Sequence, residues 1–219
     1  MSFHKLFFTI STLAVSLGFA SLSNASVIYS NNFSSGSTGF TGATTTQTSP
    51  SGEDFLGFLN FGAAATLNLT GLSAHTSVTL DFDVYGLRSL DGTTSSDAFA
   101  LDMNGARQFT DFYGHTGFGG TPIIGPVAGS LVSHDSTALG YGNFFGGAST
   151  YHYSLTFADS ASSINFSFIG LTDQGWGDEA FGLDNVVVTT NGTVPEPSIL
   201  ALMGLGLLGF GALRRKVRN

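Results

Sequence analysis

Apolar and polar residues alternate along much of this chain with a period of two. The clearest stretch spans residues 77–85, where apolar side chains alternate with polar ones: Val78, Leu80, Phe82 and Val84 against Thr79, Asp81 and Asp83. Successive side chains of a strand point to opposite faces. The stretch therefore predicts a strand with one face in a core and the other in solvent.

Similar alternation recurs in other stretches, which turn-forming residues separate. Asn104-Gly105, a dipeptide suited to a two-residue turn, follows the alternating residues 99–103 and predicts a hairpin. Further strands are predicted at residues 27–33, 55–61, 65–72, 151–157, 164–168 and 183–189. Because about eight or nine short strands are predicted and no amphipathic helix is evident in residues 26–193, we expect an all-β fold, an antiparallel β-sandwich of jelly-roll-like type.

Two segments interrupt the alternation. Residues 36–52 are rich in Gly, Ser and Thr, which is typical of an exposed loop. Residues 114–150 mix glycines with aromatic and branched side chains. We expect this longer segment to be an insertion at a sheet edge that packs its own aromatics and contains a short strand near residues 130–133.

The predicted domain is strongly acidic. All fifteen acidic residues of the chain lie in residues 26–193 except Glu196, whereas only Arg88 and Arg107 of its seven lysines and arginines do. Nucleic acid is therefore excluded as an expected partner, because binding a polyanion requires a basic face. The chain contains no cysteine, which rules out disulfides and thiolate metal sites.

The sequence contains no catalytic motif that we recognise. A zinc-binding His-Glu-x-x-His pair, a nucleophile elbow and a phosphate-binding loop are absent, and the G-x-G-x-x-G of residues 204–209 follows no predicted strand. We therefore expect the protein not to be an enzyme. The histidines of the domain lack the spacing of a metal site and are expected to be solvated or hydrogen-bonded: His75, His115, His134 and His152.

Asp81 and Asp83 leave glycan hydrolysis open as an alternative. They project from the same face of a predicted strand, and glycosidases use two carboxyl groups roughly 5–10 Å apart. The pair lies opposite the apolar face without an evident third partner, so a solvated strand face is the favoured interpretation. We expect three further carboxylates to extend this acidic surface: Asp91, Asp97 and Asp102.

The N-terminus has the features of a secretory signal peptide. Lys5 precedes an apolar stretch at residues 6–22, and Ser23-Asn24-Ala25 places small residues where signal peptidase cleaves. We therefore predict a signal peptide over residues 1–25. A membrane-anchoring N-terminal helix is the alternative.

The C-terminal sequence combines a proline box, an apolar run and a basic end. The run at about residues 199–213 is long enough for a short transmembrane helix, and a basic end would stay on the cytoplasmic side. The residues of the box and the start of the basic end are Val194, Pro195, Glu196, Pro197, Arg214 and Arg215. This arrangement resembles the PEP-CTERM sorting signal of exopolysaccharide-producing Gram-negative bacteria.

The PEP-CTERM resemblance implies processing by the membrane enzyme exosortase, with Val194 to Pro197 as the recognised box. An ordinary C-terminal membrane anchor shares the topology but does not need the prolines. The chain is thus predicted to consist of a signal peptide (1–25), a β-sandwich ectodomain (26–193) and a sorting signal with its transmembrane helix (194–219).

Oxygen donors crowd around glycines in residues 173–186, a combination that suits a hard cation such as Ca²⁺. Asp178 and Glu179 are candidate ligands in this run. The alternative is that these side chains cap turns and hydrogen-bond to the backbone.

The segment 181–188, centred on Gly-Leu-Asp-Asn-Val, resembles the last strand of jelly-roll carbohydrate-binding modules. Residues 30–34, Ser-Asn-Asn-Phe-Ser, resemble the opening element of those modules. The resemblance implies a structural calcium shared by the first and last strands, with Asp184 and Asn32 as ligands. Ser34 departs from the pattern, because an acidic ligand is expected there.

Trp176, the only tryptophan, lies in the same oxygen-rich run. With Tyr141 and Phe144 it is a candidate aromatic platform for sugar rings. Packing in the core is the more frequent role of a tryptophan and is the favoured interpretation.

Together these features predict an exported protein of the cell envelope, outer surface or extracellular matrix of a Gram-negative bacterium. The expected role is structural or adhesive in exopolysaccharide or biofilm. A carbohydrate-binding module is the alternative function, and a glycan hydrolase is the third. The expected partners are signal peptidase and exosortase, the membrane before processing, and extracellular polysaccharide.

Overall fold

The structure is a computed structural model, and it describes residues 22–92, 97–115, 128–136, 138–141 and 147–194. Residues Asn24–Thr193 form one compact unit. Most of the predicted signal peptide, the sorting signal after Val194 and its predicted transmembrane helix lie outside the described residues. No helix within the described residues is long and apolar enough to cross a membrane.

The regular elements are β-strands that form two antiparallel sheets. The larger sheet has the order β3-β4-β12-β6-β10-β9, with β1 also paired to β12, and the smaller sheet has the order β2-β5-β11-β7-β8. The strands are β1 (Leu22–Asn31), β2 (Phe40–Gly42), β3 (Thr46–Thr48), β4 (Asp54–Leu59), β5 (Ala63–Thr70), β6 (Ser77–Arg88), β7 (Ala98–Met103), β8 (Ala106–Phe112), β9 (Ser130–Ser136), β10 (Ala148–Ala158), β11 (Ser163–Leu171) and β12 (Glu179–Val194). The predicted jelly-roll-like antiparallel β-sandwich is confirmed.

Alternation and turn chemistry account for the long strands. The residues of β6 alternate between half-buried and buried from Ser77 to Val84, as the sequence pattern predicts. The predicted hairpin joins β7 and β8, and both Asn104 and Gly105 have positive φ values of 50° and 79°. Positive φ at both central residues is the geometry that a type I′ turn requires, and asparagine and glycine adopt it readily.

The segment predicted as an exposed loop, residues 36–52, contains two short strands, so that prediction was wrong in part. Phe40 to Gly42 pairs with β5, and Thr46 to Thr48 pairs with β4. Three-residue edge strands are too short to produce a visible alternation, and it is the neighbouring strand that makes them regular. The strand expected near residues 130–133 is present as β9, at the edge of the larger sheet beside β10.

The core between the sheets is dominated by aromatic side chains. Phe82 of β6 lies fully buried, parallel to Tyr153 at 4.8 Å and edge-on to Phe168 of the other sheet at 5.1 Å between ring centroids. Phe181 of β12 makes an edge contact with Phe99 at 5.7 Å. Each fully buried phenylalanine contributes about 2–3 kcal/mol through the apolar area it removes from water.

A second apolar cluster lies on the opposite face of the larger sheet, and we call it the outer cluster. Tyr85 and Leu87 belong to it, and their positions alternate with Val84, which faces the core. Leu139, from the long segment between β8 and β10, packs on this cluster. The segment was expected to pack its own aromatics, and within its described part Leu139 and Tyr141 pack on residues of the larger sheet. The outer cluster consists of Phe55, Tyr85, Leu87, Leu139 and Ala148, with Phe58 and Tyr141 packed against it.

Strand β12 contains a bulge at Asp184-Asn185. Asp184 pairs with Asp83 of β6, and Val187 pairs with Asp81. An advance of three residues on β12 thus matches two residues on β6, so β12 has one extra residue here. The core-facing positions accordingly change from odd to even, with Phe181 and Leu183 before the bulge and Val186 and Val188 after it. Asn185 adopts φ 50° at the bulge, a left-handed conformation that asparagine tolerates better than most residues.

Hydrogen bonds hold both side chains of the bulge. Asp184 is fully buried, and its carboxylate accepts hydrogen bonds from the Tyr85 hydroxyl at 2.7 Å and from the Asn185 backbone N–H at 2.7 Å. The exposed Asn185 amide donates to Asp83 across the strand pair at 2.9 Å. Burial raises the pKa of Asp184 to about 6, although the hydrogen bonds from Tyr85 and Asn185 oppose the rise.

Replacing Asn185 tests the bulge. Asn185→Val should destabilise the protein by about 1–3 kcal/mol more than Asn185→Gly, because a β-branched residue is strained at positive φ whereas glycine is not. Both substitutions remove the bond to Asp83, so their difference isolates the backbone conformation. Urea unfolding measures it, and equal stability of the two variants would contradict the left-handed bulge.

Asp184 should make stability depend on pH. Its pKa is higher in the folded state than the ordinary 3.8, so the folded state binds more protons and stability falls as the pH rises from about 4 through about 6. A shift of this size corresponds to at most about 3 kcal/mol. Asp184→Asn should remove this part of the dependence in urea unfolding measured from pH 4 to pH 7, whereas Asp81→Asn should retain it.

Candidate functional site

The oxygen-rich segment predicted from the sequence forms the turn that leads into β12. The backbone N–H groups of Asp178 and Glu179 both donate to the Gly175 carbonyl, at 2.8 and 2.9 Å. The turn docks on the chain just after β6, where the Ser89 hydroxyl donates to the Asp178 carboxylate at 2.5 Å. The Asp178 carboxylate is therefore bonded to the Ser89 side chain, and this bond ties the turn to the segment that follows β6.

Three carboxyl groups converge beside this turn: Asp91, Asp97 and Glu179, which we call the acidic cluster. Asp91 follows β6, Asp97 precedes β7, and Glu179 is the first residue of β12. One ligand atom from each lies within 4.8 Å of the other two. The Asp97 carboxylate also accepts a hydrogen bond from the Asp91 backbone N–H at 2.6 Å. Segments of both sheets thus contribute to one acidic site.

Burial makes the acidic cluster electrostatically unfavourable. Asp97 and Glu179 are fully buried, and in the described part of the chain neither carboxylate oxygen of Glu179 has a hydrogen-bond partner. Burial, and secondly the negative charge of Asp97, raises the pKa of Glu179 well above its ordinary value. Burial also raises the pKa of Asp91, to which Asp173 and Asp178 add.

The expectation that Asp97 extends an acidic surface was wrong. The positions of Asp91, Asp97 and Glu179 in the sequence do not indicate that their side chains are close together. Their proximity results from the fold of the sandwich, which brings the three segments together. Of the four candidate calcium ligands, Glu179 is the one that belongs to a group of acidic side chains able to contact a common ion, as far as the described residues extend.

The other calcium candidates have local hydrogen-bond partners. Asn32 is exposed, and its side-chain oxygen accepts from the Ser34 hydroxyl at 2.8 Å, as in a capped turn. Asp184 is bonded to Tyr85 at the bulge. The structure does pair the first strand with the last, β1 with β12, so the closeness that the resemblance implies is present.

The aromatic candidates for sugar binding lie apart from the main core. Trp176 is 51% exposed, so the favoured interpretation of it as a core residue was wrong. Its ring stacks on Phe58 at 4.7 Å and 8°, and the Arg88 guanidinium carbon lies 5.0 Å from its centroid. Tyr141 packs against the outer cluster, and Phe144 lies outside the described residues.

Trp176 and Phe58 line an open groove of about 420 Å³. Polar side chains from β3 and its surroundings complete the lining, among them Thr45, Gln47 and Asn60. Sequence analysis missed these residues because two of them lie in the segment predicted as a loop. The arrangement of an exposed aromatic ring beside hydroxyl and amide groups is suited to a polar ligand that has an apolar face.

One of the two carboxylates considered for glycan hydrolysis, Asp83, has structural partners. Asp83 accepts from His152 at 2.8 Å and from Asn185 at 2.9 Å on neighbouring strands.

His115 hydrogen-bonds to Ser149 at 2.9 Å, and both are fully buried, so this pair has no exposed hydroxyl to offer a substrate. His75 is bonded to Asp159 at 3.0 Å. The expectation that histidines are hydrogen-bonded is confirmed for His75, His115 and His152.

Comparison with known proteins identifies the C-terminal segment. Residues 193–216 match the PEP-CTERM protein-sorting motif. No curated protein sequence matches the chain.

Among solved structures, the chain is similar to a family 35 carbohydrate binding module from an environmental isolate, with 15% identity over 77% of this chain and 97% of that chain and a TM-score of 0.41. It is also similar to a family 35 carbohydrate binding module from Clostridium thermocellum, with 10% identity, coverage of 78% and 98%, and a TM-score of 0.38. An exo-beta-1,3-galactanase from Phanerochaete chrysosporium matches with 14% identity, coverage of 73% and 28%, and a TM-score of 0.36.

The motif and the fold together characterise the molecule. The matched residues begin where β12 ends and contain the proline box, the apolar run and the first basic residues. The motif implies export, targeting to the cell surface and processing by exosortase. The chain is therefore an exported β-sandwich protein that carries a PEP-CTERM protein-sorting motif.

Proposed function

We propose that the protein has a structural or adhesive role in the extracellular polysaccharide matrix of a Gram-negative bacterium. The observation that carries this proposal is the sorting motif at residues 193–216, which directly follows the last strand of an all-β domain. Export requires a domain that is stable without cytosolic partners, and an aromatic core between two antiparallel sheets provides that stability. The surplus of carboxylates keeps such a domain well solvated.

Processing at the proline box is the first test. The protein recovered from the cell surface should lack residues 1–25 and the basic C-terminal end, and intact-mass measurement detects both losses. Replacing Pro195 and Pro197 by alanine should make the unprocessed form accumulate, because the stiff extended box would be lost.

Pro50→Ala is the matched control, since this exposed proline is not part of the box. It should leave processing unchanged. A mature surface form that still ends in Arg214 to Asn219 would replace the exosortase route by a plain membrane anchor.

The groove beside Trp176 favours carbohydrate binding as a second candidate function. A half-exposed tryptophan offers apolar ring surface to the C–H groups of a sugar, and the neighbouring Thr45, Gln47 and Asn60 offer hydrogen-bonding groups. Under this proposal the groove would hold the protein on the polysaccharide to which it is delivered.

A polysaccharide affinity column tests the second candidate. Trp176→Ala should reduce retention about two- to tenfold, because a stacked aromatic ring contributes about 0.5–1.5 kcal/mol beyond its buried area. Phe112→Ala, at an exposed aromatic residue on β8, should leave retention unchanged. Equal retention of both variants would exclude the groove, and release of reducing ends from the column would favour a glycan hydrolase instead.

A further inference from the structure

We propose that Asp91, Asp97 and Glu179 bind one Ca²⁺ ion at the end of the sandwich. Their ligand atoms lie within 4.8 Å of one another. Protein oxygens bind Ca²⁺ at about 2.3–2.6 Å, so two ligands of the same ion are separated by at most about 5 Å. A point within about 2.8 Å of all three atoms therefore exists, so one ion reaches all three carboxylates after side-chain shifts of a few tenths of an ångström.

Glu179 supplies an independent reason to place a ligand there. It is fully buried among carboxyl groups, and in the described residues neither of its oxygens accepts a hydrogen bond. A buried carboxylate without a partner is strongly unfavourable, because it loses its hydration and gains nothing in exchange. A proton shared with Asp97 or a bound cation supplies the missing partner, and the spacing of the three carboxyl groups suits the cation.

The chain itself has few positive charges to offer. Arg88 and Arg107 are the only lysines or arginines of residues 26–193. The Arg88 guanidinium donates to the Gly177 carbonyl and lies over the Trp176 ring, and Arg107 donates to Asp102. Both arginines are therefore engaged away from the Glu179 carboxyl group.

The chemistry of the cluster favours calcium over other ions. All the ligand atoms are carboxylate oxygens, which suit hard cations, and three carboxylates provide enough charge for a divalent ion. Asp173 and Asp178 add negative potential near Asp91. Calcium tolerates irregular geometry and completes its shell with water and backbone oxygens, whereas Mg²⁺ demands a near-ideal octahedron.

The ion would join the larger sheet to the smaller one, and no ladder links these two sheets in the described residues. Asp91 and Glu179 are attached to β6 and β12 of the larger sheet, and Asp97 is attached to β7 of the smaller one. A shared ion would therefore fasten the two sheets together at this end. It would also fix the turn before β12, which carries Trp176. The site does not coincide with the pair Asn32 and Asp184 that the resemblance implies, and it does not depend on the proposed function.

The test measures thermal unfolding of the full chain in EGTA and in excess Ca²⁺. Calcium should raise the melting temperature by about 5 °C or more at a hundredfold excess over the dissociation constant, because the ion binds the folded state in preference to the unfolded state. Equilibrium dialysis with radioactive calcium should give about one ion per chain. A parent protein that shows neither effect would overturn the proposal.

Glu179→Gln gives the sharpest variant, because it should abolish the response to the ion without destabilising the protein in its absence. In EGTA it should melt no lower than the parent, since the carboxyl accepts no hydrogen bond from the described residues that glutamine would lose. In calcium it should show no further rise. If Glu179 were only structural, the substitution would not abolish the response to calcium. Asp97→Asn should also abolish binding in dialysis, a measurement that remains informative if the variant is destabilised.

Asp81→Asn is the matched control, since it removes one negative charge from the outer face of β6, away from the cluster. It should retain the full calcium response. Equal loss of the response in Asp81→Asn and Glu179→Gln would mean diffuse counterion binding to an acidic domain. An equal rise with Mg²⁺ at the same concentration would overturn the assignment to calcium.

Discussion

The bulge in β12 is the constraint on which much of the larger sheet depends. This strand pairs with β1, β4 and β6, and it supplies core residues both before and after the bulge. Without the extra residue at Asp184-Asn185, the alternation that buries Phe181 and Leu183 would turn Val186 and Val188 toward the opposite face. The left-handed conformation of Asn185 and the hydrogen bonds of Asp184 are therefore what allow one continuous strand to face the core along its whole length.

The same strand begins in the acidic cluster, and that position explains why the cluster is costly. Glu179 is drawn into the end of the sandwich by the residues that follow it, since Phe181 and Leu183 fix the face that β12 presents to the core. The hydrophobic burial of β12 thus places the Glu179 carboxylate next to the carboxylates of Asp91 and Asp97. A proton or a cation has to offset this arrangement. The geometry accommodates a cation, and the two arginines of the domain are engaged elsewhere.

The sequence predicts those parts of the fold that are governed by local chemistry. Alternation predicts β6, and Asn104-Gly105 predicts the β7–β8 hairpin. Each of these signals comes from residues that are close together in the sequence. The edge strands β2 and β3 are not predicted, because pairing with β5 and β4 makes them regular and their own short sequences do not indicate it. The burial of Asp97 could not be predicted for a related reason. Asp97 lies beside Glu179, which is distant in the sequence, and alternation within one strand does not indicate such a contact.

The boundary between the sandwich and the sorting motif follows from the chemistry of proline. Strand β12 ends at Val194, the first residue of the box, and Pro195 and Pro197 come next. Proline has no backbone N–H to donate to a strand ladder, so a strand is not expected to extend through the box. The composition of the box thus accounts for the end of β12 at Val194. Cleavage within the box, as proposed above, would leave the core residues of β12, the bulge and the acidic cluster in the mature domain.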